Sequence, residues 1–403
     1  MARLIRLLLA STVLLIGAAQ SFATETREAD PQSPDDADDG LASNEAPGGG
    51  LGGSNSLPGD ASRPQPMPSV HGKRGEWVIA PIPTYNNSQT WGLQLVTQYI
   101  DRPETQAPGA RPDIISAAAS LTGKGSYVGS AAYVGHFRDD LWRLVVGGGL
   151  GVYKYDFYGI GADAAERNES VPLAQRGAHA LAQLTRRLLP GLYVGGRLSF
   201  QTVDITVDGD TDVALPTDEF KETAVAAGVK AQYDTRDSAF YPRSGMYANL
   251  QVDFFSRALG SDREFQIVAA DFNQYRSLGT DSVLAWRFML RDAIGDVPFY
   301  ELSRFGSRSD LRGYKSGQFR DKAMSALQAE YRYRLSERWG LAAFAGIGGI
   351  GESLDQIGSE GWLPAGGAGV RYRLARHNPV DMRFDFAVGK GTHGAYLSVG
   401  QAF

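Results

Sequence analysis

Residues 327–335 read Leu-Gln-Ala-Glu-Tyr-Arg-Tyr-Arg-Leu. In an extended chain successive side chains point to opposite faces. Leu327, Ala329, Tyr331, Tyr333 and Leu335 therefore share one face, and Gln328, Glu330, Arg332 and Arg334 share the other. Strict alternation of this kind is a strand signal. Two environments produce it. A soluble sandwich buries the apolar face and wets the polar one, whereas an outer-membrane barrel turns the apolar face to lipid and the polar face to a wet lumen. Full charges standing side by side on the polar face favour the barrel.

The pattern recurs along the chain. Residues 192–200 set Leu192, Val194, Leu198 and Phe200 against Tyr193, Arg197 and Ser199, and residues 246–254 set Met246, Leu250, Val252 and Phe254 against Tyr247, Asn249, Gln251 and Asp253. Residues 284–291 and 380–388 repeat it, the latter with Phe384 and Phe386 against Asp381, Arg383 and Asp385. Most of these segments run about nine to twelve residues, the length a tilted crossing of the bilayer needs. The 49 glycines suit small lumen positions, and the many aromatics suit interfacial girdles. Beyond residue 19 no apolar run is long enough for a spanning helix. Counting strands between turn signals predicts an all-β fold, a 16-stranded antiparallel transmembrane β-barrel over residues 73–403, with its first strand at 75–84 and its last at 393–403. An even strand number returns both ends to the periplasmic side.

The N-terminal residues have other uses. Arg3 and Arg6, the apolar run Leu7–Ala19 and the small-x-small site Ser21-Phe22-Ala23 predict a signal peptide over residues 1–23. Residues 24–72 are acidic, then rich in Gly, Pro and Ser, and predict a disordered linker. With no cysteine there is neither a disulfide nor an acyl-anchor motif, and a net charge of −5 argues against nucleic acid as a partner.

One connection is too long to be slack. Between strands predicted to end near Asp292 and to start near Lys322 lies a loop of about thirty residues, and such loops are usually functional or disordered. Its centre, Phe305–Phe319, reads FGSRSDLRGYKSGQF. Phe305, Tyr314, Phe319 and several arginines predict a loop folded into something, and by strand count it is the sixth external loop.

Several stretches, in this order, resemble the BamA/TamA superfamily of outer-membrane barrels, which includes two-partner secretion transporters and the bacterial surface antigen domain. Leu311-Arg312-Gly313-Tyr314 resembles the sixth-loop tip that folds back into the lumen in that family. Asp234-Thr-Arg236-Asp237, followed by Pro242 and Gly245, resembles its turn between strands eight and nine, and Ser325–Arg332 resembles its twelfth strand. Gly369-Val-Arg371-Tyr372 and the tail Ser398–Phe403, with Val399 and Phe403 as a C-terminal strand signal, resemble its last strands. The resemblance implies that Arg312 meets Glu330 inside the lumen. It also implies an aspartate on strand thirteen, where this chain reads Phe344-Ala-Gly346-Ile-Gly348, which leaves the loop held either by fewer contacts or by Asp381 or Asp385. Residues 24–72 are too short and too polar for a periplasmic transport-associated domain, so a barrel-only member is expected.

The function the resemblance implies is assembly, insertion or secretion of polypeptides at the outer membrane of a Gram-negative-type bacterium. A substrate strand would pair at the seam between the first and last strands. Pro81 and Pro83 cannot donate to a ladder, so that seam is expected to hold fewer backbone hydrogen bonds than any other strand pair. The implied partners are lipid and lipopolysaccharide, polypeptide substrates, and the barrel assembly machinery for the protein's own insertion. The alternatives are a passive small-solute pore, made anion-selective by Arg197, Arg287, Arg371 and Arg373, and a structural surface barrel.

Enzyme chemistry has little to stand on. His71, His136, His179, His377 and His393 show no HExxH spacing, and no Gly-x-Ser-x-Gly elbow exists. Gly48-x-Gly50-x-x-Gly53 and Gly346-x-Gly348-x-x-Gly351 match a dinucleotide fingerprint outside its strand–helix context. Asp208-x-Asp210-x-Asp212 with Glu219 lacks the glycine of a calcium loop. Neither a cofactor nor a metal is expected. Tyr155–Gly161 resembles a recurring family phrase and is read as structural.

Overall fold

The computed structural model describes residues 75–101, 113–208, 215–238, 241–306, 310–374 and 381–403. The signal peptide and linker, Gly48–Gly53, Asp210, Asp212 and His377 lie outside these residues. The described chain forms one closed antiparallel barrel of sixteen strands. Its first half comprises β1 (Glu76–Asn86), β2 (Thr90–Asp101), β3 (Asp113–Thr122), β4 (Tyr127–Phe137), β5 (Trp142–Phe157), β6 (Val171–Leu189), β7 (Leu192–Val207) and β8 (Lys221–Asp234). The second half comprises β9 (Gly245–Phe255), β10 (Phe265–Ser277), β11 (Ser282–Gly295), β12 (Ala323–Arg334), β13 (Trp339–Gly351), β14 (Leu363–Arg373), β15 (Asp381–Gly389) and β16 (Thr392–Val399). Each strand pairs with its neighbours in sequence, and β16 returns to β1. Every strand edge is paired over a long register except at the β1–β16 join, which is paired at one position.

Burial is inverted relative to a soluble protein. On β12 Leu327 and Tyr331 are 51% and 43% exposed, while Gln328, Glu330 and Arg332 are at most 1% exposed. Only a hydrocarbon exterior makes that arrangement favourable. Trp77, Trp91, Trp339 and Trp362 stand exposed at strand ends, where the amphipathic indole suits the membrane interface. Among the described residues no helix is long and apolar enough to cross a membrane.

External and periplasmic connections alternate; the external ones range from the tight β1–β2 and β15–β16 turns to the long sixth loop. The turn between β4 and β5 is unusual: Arg138, Asp139 and Asp140 are all left-handed, with φ of 52°, 54° and 61°. Non-glycine residues enter that region at a cost. Asp140 offsets it, taking a bidentate pair from Arg143 at 2.6 and 2.7 Å and the Tyr193 hydroxyl at 2.6 Å.

The last strand is shorter than the sequence suggests. It ends at Val399 instead of Phe403, because Gly400 is left-handed at φ 88° and its N–H donates to the Asp381 carbonyl at 2.8 Å. Gln401 and Phe403 then contact arginines of the inner face: Gln401 Oε1 accepts from Arg371 Nε at 3.2 Å, and the Phe403 carbonyl accepts from Arg332 at 2.6 Å.

Candidate functional site at the sixth loop and the strand seam

The sixth external loop leaves β11 at Gly295, closes a two-residue ribbon between Ser303–Arg304 and Arg320–Asp321, and enters β12. It carries its own apolar core. Phe305, Leu311, Tyr314 and Phe319 are buried with Met324 and Ala326 of β12, Ile350 of β13 and Leu363 of β14. Ala162 and Ala165 of α1, the short helix Ala162–Arg167 in the third external loop, complete that cluster. A second cluster packs Phe299, Tyr300 and Leu302 on Tyr155, Phe157, Val171 and Leu173. The phrase beginning at Tyr155 is thus part of the loop's seat: Arg320 lies over Phe157, with 5.1 Å to the ring centroid, and Gly161 N–H donates to the Arg320 carbonyl at 2.9 Å.

At the tip, Arg312 is 1% exposed and touches three strands. It meets Glu330 Oε2 of β12 and Asp385 Oδ2 of β15, each at 2.6 Å. Its Nε and a terminal nitrogen donate to Gln328 Oε1 at 3.1 and 2.7 Å. Its guanidinium lies 3.4 Å from the ring centroid of Phe344 on β13. Gln328 Nε2 in turn donates to the Asp310 carbonyl at 3.1 Å. A planar fork with five donors suits this many-sided grip, which an ammonium could not reproduce.

The strand-thirteen departure acquires a physical reason. A Cβ on Gly346 would come within 2.8 Å of Leu311 Cδ1, and one on Gly348 within 2.6 Å of the Phe305 ring. The glycines make room for the loop, and Asp385 provides the second carboxylate. Asp381 is committed elsewhere, to Arg334 at 2.8 Å and Arg373 at 3.2 Å.

Beyond Arg312 the tip is held by close approach. Gly313 has φ 117°, and a Cβ there would meet the Val388 and Gly389 backbone at 2.9–3.0 Å. Gly313 N–H donates to Tyr396 Oη at 2.9 Å. The Tyr314 hydroxyl donates to the Pro364 carbonyl at 2.6 Å and accepts from Lys390 N–H at 3.1 Å.

The buried charge cluster is larger than one pair. Glu330 also takes Arg332 at 2.7 Å and Arg371 at 3.5 Å, and Asp385 takes Arg371 at 2.5 Å and Arg383 at 3.3 Å. Four arginines thus surround two carboxylates. Sequence parity alone points to Glu330, whereas Gln328, Phe344, Arg383 and Tyr396 carry no signal that distinguishes them from other inward residues.

The Asp234/Arg236/Asp237 group builds the periplasmic turn between β8 and β9, tied to neighbouring turns through Gly191 and Gly279, and Arg236 meets Tyr275, whose ring lies under Arg332 of the cluster. Asp234 holds Arg236 through two bonds of 2.9 Å, with Arg236 also 4.7 Å over the Tyr247 ring. Asp237 Oδ1 accepts from the backbone of Ser238, Arg243 and Ser244. Pro242 is buried, and Gly245 has φ 90° with the Thr235 carbonyl 2.1 Å from where a Cβ would stand. On the external side Asp208 and Glu219 have ordinary partners: Lys154 at 2.7 Å, and the Phe299 N–H at 2.5 Å. Burial raises the Glu219 carboxyl above its usual range despite that amide and Arg263.

The barrel is thinnest where it closes. β1 and β16 are in register at one position, Tyr85 opposite Leu397, whereas every other neighbouring pair runs in register over eight positions or more. Glu76–Thr84, which include both prolines, have no β16 partner in that register. Val399 lies on β16 beyond the last seam position and pairs with Met382 of β15.

A closed sixteen-stranded barrel with inverted burial, an arginine-anchored sixth loop and a thin first/last seam defines a class of outer-membrane barrel. A family profile for the Omp85 superfamily domain matches residues 121–403. The chain belongs to the Omp85 superfamily, whose barrels lie in the outer membrane of Gram-negative bacteria. Among solved structures it is similar to BamA from Haemophilus ducreyi lacking POTRA domains 1–3, at 14% identity and TM-score 0.56, covering 81% of this chain and 70% of that one. It is also similar to CdiB from Acinetobacter baumannii (13%, TM-score 0.54, 81% of this chain, 60% of that one). CdiB from Escherichia coli compares likewise (12%, TM-score 0.54, 80% and 63%). The chain therefore spans about 60–70% of the length of these proteins.

Proposed function

We propose that this barrel handles polypeptides at the outer membrane and catalyses no covalent chemistry. The substrate is an extended segment that pairs with the exposed edge of β1, by the same backbone bonds that join one strand to the next. The observation that carries the proposal is the seam itself. A single register position with Pro81 and Pro83 beside it leaves an edge that a foreign strand can occupy at little cost. Superfamily membership supports a role in insertion or secretion. Lipid and lipopolysaccharide surround the wall, and the cell's barrel assembly machinery inserts the protein.

Photocrosslinking in cells tests this. A photoreactive residue at Ile79 or Val399 should capture a nascent outer-membrane or secreted chain, and one placed at Leu198 on β7 should not. Equal capture at the three positions, or none at the seam, would refute strand pairing. An anion-selective pore finds less support, because Arg197, Arg287, Arg371 and Arg373 each face a carboxylate: Asp253, Asp271, Asp385 and Asp381 respectively.

A further inference from the structure

The sixth-loop tip touches both sides of the seam. On the β16 side, Tyr396 Oη accepts from Gly313 N–H at 2.9 Å and donates to the Tyr314 carbonyl at 3.4 Å. On the β1 side, Ser316 N–H donates to Ser88 Oγ at 2.7 Å. Ser88 belongs to the external turn that follows β1 directly, and that turn is firmly built. Asn86 Oδ1 accepts from Ser88 and Gln89 N–H at 3.0 and 2.8 Å, and Gln89 Nε2 donates to the Lys154 carbonyl on β5 at 2.7 Å. A rigid turn on one side and a strand hydroxyl on the other are thus joined through a few residues of one loop.

Asn87, between Asn86 and Ser88, reaches β16 without the loop. Its Nδ2 donates to the His393 carbonyl at 2.6 Å, and its Oδ1 accepts from Ala395 N–H at 3.2 Å. That primary amide copies one rung of a backbone ladder just past the single register position at Tyr85. All these contacts lie at the external end of the seam; among the described residues no comparable contact joins the periplasmic half of β1 to β16.

We propose that the sixth-loop tip is a clasp across the seam, and that Tyr396 and Ser88 are its two anchor points. While Arg312 is seated, Gly313 and Ser316 hold β16 and the β1 turn at a fixed separation. The seam parts only when the tip lifts, and it parts from the periplasmic end. In a join with one register position, two extra hydrogen bonds are a large share of what resists opening; between β7 and β8 they would be negligible. The clasp deepens the strand-pairing proposal by naming what keeps the edge shut, but its test needs no substrate.

Hydrogen exchange on the full-length barrel in lipid nanodiscs reads it directly, since native-state exchange reports local opening. Tyr396→Phe removes the acceptor on β16, and Ser88→Ala independently removes the one on the β1 side. Each should speed exchange of the β1 and β16 seam amides about fivefold, the effect of losing one ordinary hydrogen bond. Gly313 and Ser316 should speed up with them, and the β7–β8 pair should not change. Asn87→Ala should speed the seam while the tip stays slow. If Tyr396→Phe and Ser88→Ala free the tip and leave seam exchange at its original rate, the loop is a plug only and the clasp is wrong. Failure to crosslink a substrate would instead sink the strand-pairing proposal and leave the exchange result standing.

Discussion

Removing Arg312 and removing Glu330 should not be equivalent, although the two form one ion pair. Arg312→Met keeps the aliphatic stem and deletes the charge. It loses two charge-assisted bonds of 2.6 Å, two to Gln328, and the stack on Phe344. It leaves no carboxylate stranded: Glu330 keeps Arg332 and Arg371, and Asp385 keeps Arg371 and Arg383. Each lost charged bond is worth about 1.5–3 kcal/mol, so the tip loses about 3–5 kcal/mol of anchoring once rehydration is counted. At about 1.4 kcal/mol per decade, opening of the tip rises by at least a hundredfold. Glu330→Gln, by contrast, removes the negative charge that three buried guanidinium groups share, and leaves Arg332 with neutral partners, the Phe403 carbonyl and the Tyr275 and Phe403 rings. Because β12 itself carries the fault, the barrel wall weakens along with the loop. Limited trypsin digestion of the detergent-solubilised protein, with Lys315 as the reporter cut, measures the tip, and thermal unfolding followed by far-ultraviolet circular dichroism measures the wall. Arg312→Met should expose Lys315 and barely move Tm, while Glu330→Gln should do both. An Arg312→Met loop as protected as the wild type, or a Glu330→Gln barrel that melts later than Arg312→Met, would refute the reasoning.

Other expectations follow from single positions. Gly313→Ala forces a left-handed residue against the Val388 and Gly389 backbone, so it should expel the tip as fully as Arg312→Met although it alters no charged residue, again read at Lys315. Asp139→Gly relieves one left-handed strain and should change stability by less than about 1 kcal/mol, whereas Asp140→Gly, at a similar φ, loses Arg143 and Tyr193 and should cost about 2–3 kcal/mol by denaturant titration. Deleting Asp310–Gln318 should raise conductance across planar bilayers, and an unchanged conductance would mean that the loop obstructs nothing. Glu219 has a raised carboxyl pKa, so the folded state binds more protons than the unfolded one and this group's contribution to stability increases as pH falls. Glu219→Gln should therefore protect the fourth loop from proteolysis at pH 7, with the advantage fading as the medium is acidified through the folded pKa.

The barrel was legible because lipid inverts the meaning of alternation. Leu327 and Tyr331 declare the outside, and the charges between them declare the inside, with no need of long-range information. The same parity put Glu330 on the inner face. What parity cannot say is which inward residues meet across the barrel. Asp385 is 73 positions from Arg312 and Tyr396 is 83 from Gly313; those contacts depend on register around the closure, which no local pattern encodes. Gly346 was the instructive case. Read along the chain it marks a missing aspartate, but in space it marks the volume of Leu311. The end of β16 was overrun because Val399-Gly400-Gln401-Ala402-Phe403 keeps a strand-like composition, and only the left-handed Gly400 turns it inward.

The imbalance of the buried cluster bears on why this loop, of all the loops, holds the seam. Four guanidinium groups against Glu330, Asp385 and the nearby buried Asp310 leave an interior with excess positive charge, and buried charge without a full complement is costly. Three of the four arginines, Arg332, Arg371 and Arg383, are fixed on strands and cannot leave without unfolding the wall. Arg312 is the one carried by a loop. Its departure removes a positive charge from a cluster that has too many, so part of the lost attraction is returned as relieved repulsion. A well-balanced pair would make the tip a permanent weld. This arrangement instead holds the tip firmly in the closed barrel and lowers the cost of release. If Arg383→Gln, which improves the balance with Arg312 still seated, made the tip easier to lift in the trypsin assay rather than harder, repulsion among the arginines would not be what makes the plug releasable.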